Sequence, residues 1–312
     1  MSDQAHSDPG PRPPSSAALA RAITRRASRQ TYDIIRWLVD RGRRDDAFRS
    51  YAYFRWVDDL VDAPTYDRVA CLQFLRRQRG LLNGLPTGSR PERLLPEEHM
   101  LADLIAGRSD AHPGLRAYLE RMMDVMEFDA GRRGRLITEA ELDRYSQLLA
   151  VAVMGAIACF IGHDHDYPET PARLQAVVGA HIIHMLRDMS GDLSAGYFNI
   201  PRSTLEAHRL MPSDMQHPAY RRWVRARIDL ARRCFAEGKA YIRHMGCLRA
   251  QAAGYLYCAQ FETMLRRIEL DGYSLRSRYA RLLPMPGWMM HLLREHQTTI
   301  SSSRQTPTGG AR

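Results

Sequence analysis

Two pairs of aspartates, each spaced four residues apart in helical sequence, constrain this chain more than any other feature. One pair is Asp188 and Asp192 in HIIHMLRDMSGDLSAGYFNIP, residues 181–201; the other is Asp58 and Asp62 in RWVDDLVD, residues 55–62. Side chains at i and i+4 share a helix face, with Cβ atoms roughly 5–6 Å apart. Carboxylates that close repel, and each raises the other's pKa unless a cation sits between them. A chain with two such pairs calls for a fold that sets two helices face to face across a cation.

The rest of the sequence supplies helices almost without interruption. A helical pattern runs from Ala17 through Trp37 and Leu38 to a stop before Gly42, and the next spans Asp45 to Ala63, with DDLVD at its C-terminal end. Further helices fit Tyr66–Leu82, Arg93–Ala106 and Gly114–Asp129. The basic turn GRRGR follows, and then a capping box at Thr138 and Glu141 opens a helix to about Gly162. HDHD, residues 163–166, stands before Pro168 and reads as a solvated turn rather than a metal site. Pro171 opens the helix carrying the second aspartate pair, which ends near Gly196. Arg202–His217 reads as a less regular stretch. Two long helices fit Ala219–Gly246 and Leu248–Leu270, and shorter ones fit Tyr273–Leu283 and Gly287–His296. Almost nothing alternates with a strand's period of two, so the expected class is all-α in one domain, residues 17–296, between disordered tails at 1–16 and 297–312.

Charge narrows the partners. The net charge is +10, but 44 of the 45 basic residues are Arg (Lys239 is the exception), and they are scattered among acidic residues along the helices. An anionic small ligand or an acidic membrane surface accounts for that balance as well as DNA does. The expectation is no nucleic-acid partner and at most peripheral membrane contact. The N-terminal stretch has no apolar core of a signal peptide. Five cysteines without metal-ligand spacing fit buried thiols in a reducing cytoplasm. The apolar run Leu148–Gly162 is short for a membrane span and reads as a helix buried on all sides.

On a helix Arg55, Asp58 and Asp62 share a face with Asp59 at its edge, and Arg187 adjoins Asp188. Hard divalent cations such as Mg²⁺ take oxygen ligands and are commonly shared between one or two carboxylates and substrate phosphates. Two facing pairs could hold two or three Mg²⁺ on one diphosphate, with arginines adding bidentate contacts. The bland alternative is two solvated faces laced by Asp–Arg pairs. The apolar flank of Asp188 weighs against it, because unpaired buried carboxylates are costly. So does Gly191, a poor helix former placed between two carboxylates, where a ligand's close approach would explain it. His181 and His184 precede Asp188 by seven and four positions on the same face. Each is a core histidine or a functional one, and two His beside two Asp leave a transition-metal site open. Met122, Met123 and Met126 read as core.

These motifs, taken together, resemble the squalene/phytoene synthase family over roughly residues 17–285. FRSYAYFRWVDDLVD is similar to that family's tyrosine-rich approach to its first aspartate motif, and MLRDMSGDLSAGYFNIP to its second. LDRYSQLLAVAVMG resembles the cavity helix with its Tyr, here Tyr145, and AQFETMLRRIELDGYSLRSR the closing helices. The resemblance implies an isoprenoid-synthase-type helical bundle around a central cavity. It implies Asp58, Asp62, Asp188 and Asp192 as Mg²⁺–diphosphate ligands, assisted by Asp59. Arg55 and Arg187 would hold the diphosphate, with Tyr51 beside it and Thr31 where the family has a serine. The chemistry implied is ionisation of an allylic isoprenyl diphosphate in a dry cavity.

Four positions depart from the family pattern. His181 and His184 stand for Gln and Asn, and after Gly196 the family's Gly-Arg-x-Tyr becomes Gly-Tyr197-Phe198-Asn199. The missing Arg and Tyr normally lie near the second diphosphate substrate. The expected function is therefore a Mg²⁺-dependent prenyltransferase of secondary metabolism. It would alkylate a non-standard, aromatic acceptor, resembling the family's carbazole prenyltransferases, with His184 catalytic and His181, Tyr197 and Asn199 contacting substrate. The rivals are a head-to-head synthase of phytoene, squalene or hydroxysqualene, and a non-catalytic binding protein.

Overall fold

A computed structural model describes residues 15–63, 67–88, 93–108 and 113–276. The tail at 1–14 and the helices expected beyond residue 276 lie outside the described residues. Eleven α-helices and one two-stranded parallel ribbon are formed among the described residues. In order these are α1 (Ser16–Ala27), α2 (Arg29–Leu38), α3 (Arg44–Val61), α4 (Arg68–Gly84), α5 (Glu98–Arg108), α6 (Pro113–Arg132), β1 (Leu136–Ile137), α7 (Glu139–Phe160), α8 (Gln175–Ala195), β2 (Phe198–Pro201), α9 (Arg202–His208), α10 (Pro218–Arg243) and α11 (Leu248–Leu270). The all-α expectation holds.

Local sequence accounts for most boundaries. Thr138 accepts from the backbone N–H of Glu141 while Glu141 reaches back to the Thr138 N–H, the reciprocal cap that starts α7. Gly196 ends α8 at φ +87, a left-handed conformation that favours glycine. The centre of the molecule is α8, packed against α7 on one side and α10 and α11 on others, while α1 and α5 pack on α3. Eleven consecutive residues of α8, Ala176 to Leu186, are buried apart from His184.

Five expectations need correcting. The single helix from Ala17 to Leu38 is two, because Ser28 is extended (φ −149, ψ 103) and its hydroxyl caps α2 by accepting from the Thr31 N–H at 3.1 Å. The less regular segment 202–217 opens with a short helix that was not expected, α9. Residues 136–137 and 198–201 form a ribbon too short to show a strand period. The helix expected over Gly114–Asp129 is α6 and runs on to Arg132, three residues past Asp129. Finally, α7 is not buried on all sides: it is long and apolar enough to span a membrane, yet only 33% of its most apolar window is fully buried. Its half-buried Leu148, Leu149, Val153 and Ile157 pack on the core.

At the pole away from the aspartates, Asp40 joins three elements. Its carboxylate accepts from the backbone N–H groups of Gly162 and His163, both at 3.2 Å, from His163 Nδ1 at 2.6 Å, and pairs with Arg249 at 2.6 Å. HDHD is thus an exposed turn as expected, with its first histidine pinned. Burial raises the Asp40 pKa, but the bonds from His163 and the two amides and the charge of Arg249 outweigh it and hold the pKa at about 2, against the usual 3.8. A depressed carboxylate pKa adds stability above the unfolded value that is lost as pH falls through the folded one. We predict that Asp40→Asn lowers unfolding free energy by about 2 kcal/mol at pH 7, and that this gap closes between pH 4 and pH 2. Urea unfolding of both proteins across that range checks it; a gap independent of pH would refute it.

Candidate active site

The C-terminal ends of α3 and α8 carry the two aspartate pairs. On α3, Arg55 pairs with Asp58 at 3.2 Å and with Asp59, so Asp59 is turned toward Arg55 and is half exposed. Burial pushes Asp58 up to about 7, helped by the neighbouring charge of Asp62 and opposed by Arg55. Burial also raises Asp62, which accepts a hydrogen bond from the Tyr197 phenol at 3.0 Å. On α8, Asp192 is pushed up to about 6 by burial, although Asn199 Nδ2 donates to it at 2.6 Å. Asp188 behaves in the opposite way. Burial would raise it, but two bonds from Arg187 (2.7 and 2.6 Å) and contact with His184 Nε2 at 2.9 Å hold it well below the carboxylate range.

The two histidines separate cleanly. His181 is buried, 4% exposed, with Nδ1 3.0 Å from the Ser146 hydroxyl and its ring edge-on to Tyr145 at 4.6 Å. Ser146 donates to the Leu142 carbonyl, so His181 Nδ1 carries the proton in the Ser146 contact. Burial drives its pKa down to about 3, which keeps the ring neutral. His184 has half its side chain in solvent and lies 6.3 Å, ring to ring, from Phe261, which in turn packs on Tyr257.

Thr31 and Tyr51 come together. The Tyr51 phenol is within hydrogen-bonding reach of Thr31 and Ser28, and close enough to Arg55 and Asp58 to feel both charges. Tyr145 stacks on Phe128 at 5.0 Å. Tyr197 and Asn199, expected to contact substrate, are buried at 4% and 1% exposure and spend their polar groups on Asp62 and Asp192.

Ser28, Asp129, Arg132, Arg133 and Ser146 were not among the expected site residues. Asp129 lies close enough to Asp58, Asp62 and Tyr145 to perturb all three. Arg132 bonds it at 2.6 Å. The available signal was the DAGRR run itself: Asp129 and Arg132 stand at i and i+3, facing neighbours only if the helix continues through Gly131.

The donor set fits a hard divalent cation. Asp58 and Asp192 are carboxyls whose ionisation is opposed by burial and neighbouring acids, a cost that a cation would offset. A Cβ added at Gly191 would meet nothing within 4 Å, so the α8 backbone there is open to approach. Among the described residues no three His, Cys, Asp or Glu side chains converge on a single point. Mg²⁺ is commonly held by one or two carboxylates and completes its shell with water and phosphate oxygens.

A sequence profile of the squalene/phytoene synthase family matches residues 24–288. The chain belongs to that family. By family it is an enzyme of the prenyltransferase type. A presqualene diphosphate synthase of Rhodopseudomonas palustris is 28% identical over 180 residues, which is 57% of this chain and 60% of that protein, so the match spans less than two thirds of the relative's length. Among solved structures, the squalene synthase HpnC of Alicyclobacillus acidocaldarius superposes with a TM-score of 0.64 at 22% identity, covering 84% of this chain and 95% of that one. TcSQS in complex with the ligand BPH1237 gives 0.63 at 12% identity, covering 95% and 94%. These two similarities establish the shared fold of a squalene/phytoene synthase and leave its chemistry to the site.

Proposed function

We propose that this squalene/phytoene synthase family member is a cytoplasmic, Mg²⁺-dependent prenyltransferase that ionises one allylic isoprenyl diphosphate and alkylates an aromatic, carbazole-like acceptor in secondary metabolism. The observation that carries the acceptor is the fate of positions 197 and 199. Where family members have an Arg and a Tyr beside the second diphosphate, this chain has Tyr197 and Asn199, both buried and both bonded to the aspartates. Neither supplies a cation to a second diphosphate.

In this reading Asp58, Asp62, Asp188 and Asp192 hold the magnesium ions, and Asp59 assists. The bound ions would stabilise negative charge growing on the departing diphosphate oxygens. Arg55 and Arg187, each now paired with aspartates, have forked guanidiniums suited to two phosphate oxygens at once. Tyr51 and Thr31 offer hydroxyls to the same group. As the allylic C–O bond breaks, the apolar and aromatic surroundings, Phe128, Tyr145 and Phe261 among them, keep water from the carbocation. The acceptor ring forms the new C–C bond and loses a proton, for which His184 Nδ1, the ring nitrogen not committed to Asp188, is the base; His181 orients the acceptor as a neutral ring.

The runner-up is condensation of two isoprenyl diphosphates, favoured by the similarity to the presqualene diphosphate synthase of Rhodopseudomonas palustris. One assay separates them. Incubation with Mg²⁺ and five- to twenty-carbon allylic diphosphates, with and without carbazoles and other electron-rich aromatics, is expected to give prenylated aromatics and free diphosphate. A presqualene-type diphosphate or a thirty- or forty-carbon hydrocarbon from the diphosphates alone would sink the aromatic reading. No turnover across the panel would favour a binding protein.

A further inference from the structure

The junction between α6 and β1 carries two adjacent arginines that the proposed reaction does not use. Arg132 is 5% exposed. A buried guanidinium is costly unless its charge and its donors are met. Here Nε donates to Asp129 at 2.6 Å, Nη1 donates to Asn199 Oδ1 at 2.7 Å, and the group lies between the rings of Tyr145 (5.1 Å) and Tyr197 (4.8 Å). That contact fixes Asn199. With its oxygen taken by Arg132, its Nδ2 must face the other way, and it donates to Asp192 Oδ2 at 2.6 Å. Tyr197, whose face covers Arg132, donates from its hydroxyl to Asp62. One guanidinium therefore reaches the outer carboxylate of each pair through a single intermediary.

Arg133 acts on the same two helices through the backbone. Its Nε donates to the carbonyl of Ala195, the last residue of α8, and its Nη1 to that of Val61, the last residue of α3, both at 3.2 Å. Terminal carbonyls of a helix lack partners within it and carry partial negative charge, so a guanidinium shared between two such ends holds them together. The neighbouring Gly134 N–H bonds the Gly196 carbonyl at 2.8 Å and continues the seam.

We propose that Arg132 and Arg133 are positioning residues, a strut that fixes the separation and aim of Asp62 and Asp192 and so sets how the two aspartate pairs share a magnesium diphosphate. This rests on the diphosphate-clamp reading above. It also gives a reason for the departures at 197 and 199: those positions have been recruited to the strut.

Titration calorimetry of the full chain with inorganic diphosphate at fixed Mg²⁺, and with Mg²⁺ varied, tests the strut apart from turnover. Wild type is expected to bind. Arg132→Gln and Asn199→Ala are each expected to weaken binding about tenfold and to raise the Mg²⁺ needed for half-saturation. The double variant should be no weaker than the poorer single one, because both act through one chain of contacts. Arg132→Lys should restore little, since an ammonium cannot hold Asp129 and Asn199 in a fixed fork. Should Arg132→Gln not fold, Asn199→Ala, which leaves Arg132 paired with Asp129, carries the same measurement. Wild-type affinity and Mg²⁺ requirement in these variants, or additive losses in the double, would overturn the strut while leaving the clamp intact. A wild-type protein that binds no magnesium diphosphate would overturn both.

Discussion

Asp58→Asn and Asp188→Asn are each expected to lower prenyl transfer by ~10³-fold, the scale of losing one preorganised charge contact to a departing oxyanion, and to move stability in opposite directions. Asparagine keeps the shape of aspartate and removes its charge. At Asp58 that charge is a burden on the folded chain, since burial and the charge of Asp62 raise the pKa to about 7. A carboxyl with a raised folded pKa loses stability as pH rises from its unfolded value, near 4, to the folded one. Asp58→Asn should therefore be as stable as wild type at pH 3 and more stable at pH 8. At Asp188 the shift runs downward, despite burial, because Arg187 and His184 hold the carboxylate. Its contribution is present above the unfolded pKa and lost as pH falls, so Asp188→Asn should be less stable than wild type at both pH values. Asp58 and Asp188 remain 32% and 39% exposed at the side chain, so water screens both effects and only their signs are predicted. Thermal melts followed by circular dichroism, alongside product formation followed by mass, read the two outcomes separately. Near-normal turnover in both variants would refute the ligand assignment, and a loss of helix in step with activity would make these residues structural.

What the sequence made legible was whatever short-range physics decides. The i, i+4 aspartates, the Thr138 box and the Gly196 stop are each settled within one helical turn, and each lies where periodicity and capping place it. The failures share a different character. Ser28 was read as helical because its neighbours are; only the observed extended backbone shows its hydroxyl spent on capping α2, which sets Thr31 beside Tyr51. Gly131 was read as a stop because glycine is a poor helix former, yet tertiary contacts at Arg132 carry α6 through it. That misplaced end hid Asp129 and Arg132, whose partners Tyr145 and Asn199 lie beyond the reach of a local pattern. Tyr197 and Asn199 stood out as departures from the family pattern, and in the structure their polar groups bond Asp62 and Asp192. The Tyr197–Asp62 bond joins residues 135 positions apart, which no local pattern encodes.

Gly238→Ala is expected to destabilise the fold by about 1–3 kcal/mol, in the range of core overpacking, whereas the same change at Gly191 should stabilise it. Gly238 lies on α10 where it crosses α8. A Cβ there would stand 2.4 Å from the Ala176 amide nitrogen and 2.7 Å from its Cα and Cβ. Backbone atoms cannot rotate aside as a side chain can, so α10 would have to lift from α8, the helix that holds Asp188 and Asp192. Alanine's better helix propensity, about 1 kcal/mol over glycine, offsets only part of this. A melting temperature lowered by several degrees, with magnesium diphosphate affinity falling as α8 shifts, would carry the prediction; an unchanged or raised melting temperature would show that the crossing can give. Gly191 is exposed, with no atom within 4 Å of an added Cβ, so Ala there gains the helix propensity without a clash. If that open backbone is where the diphosphate and its ions pass, Gly191→Ala should combine a higher melting temperature with slower turnover. Undiminished turnover would mean that the glycine between the two aspartates leaves room for nothing the reaction needs.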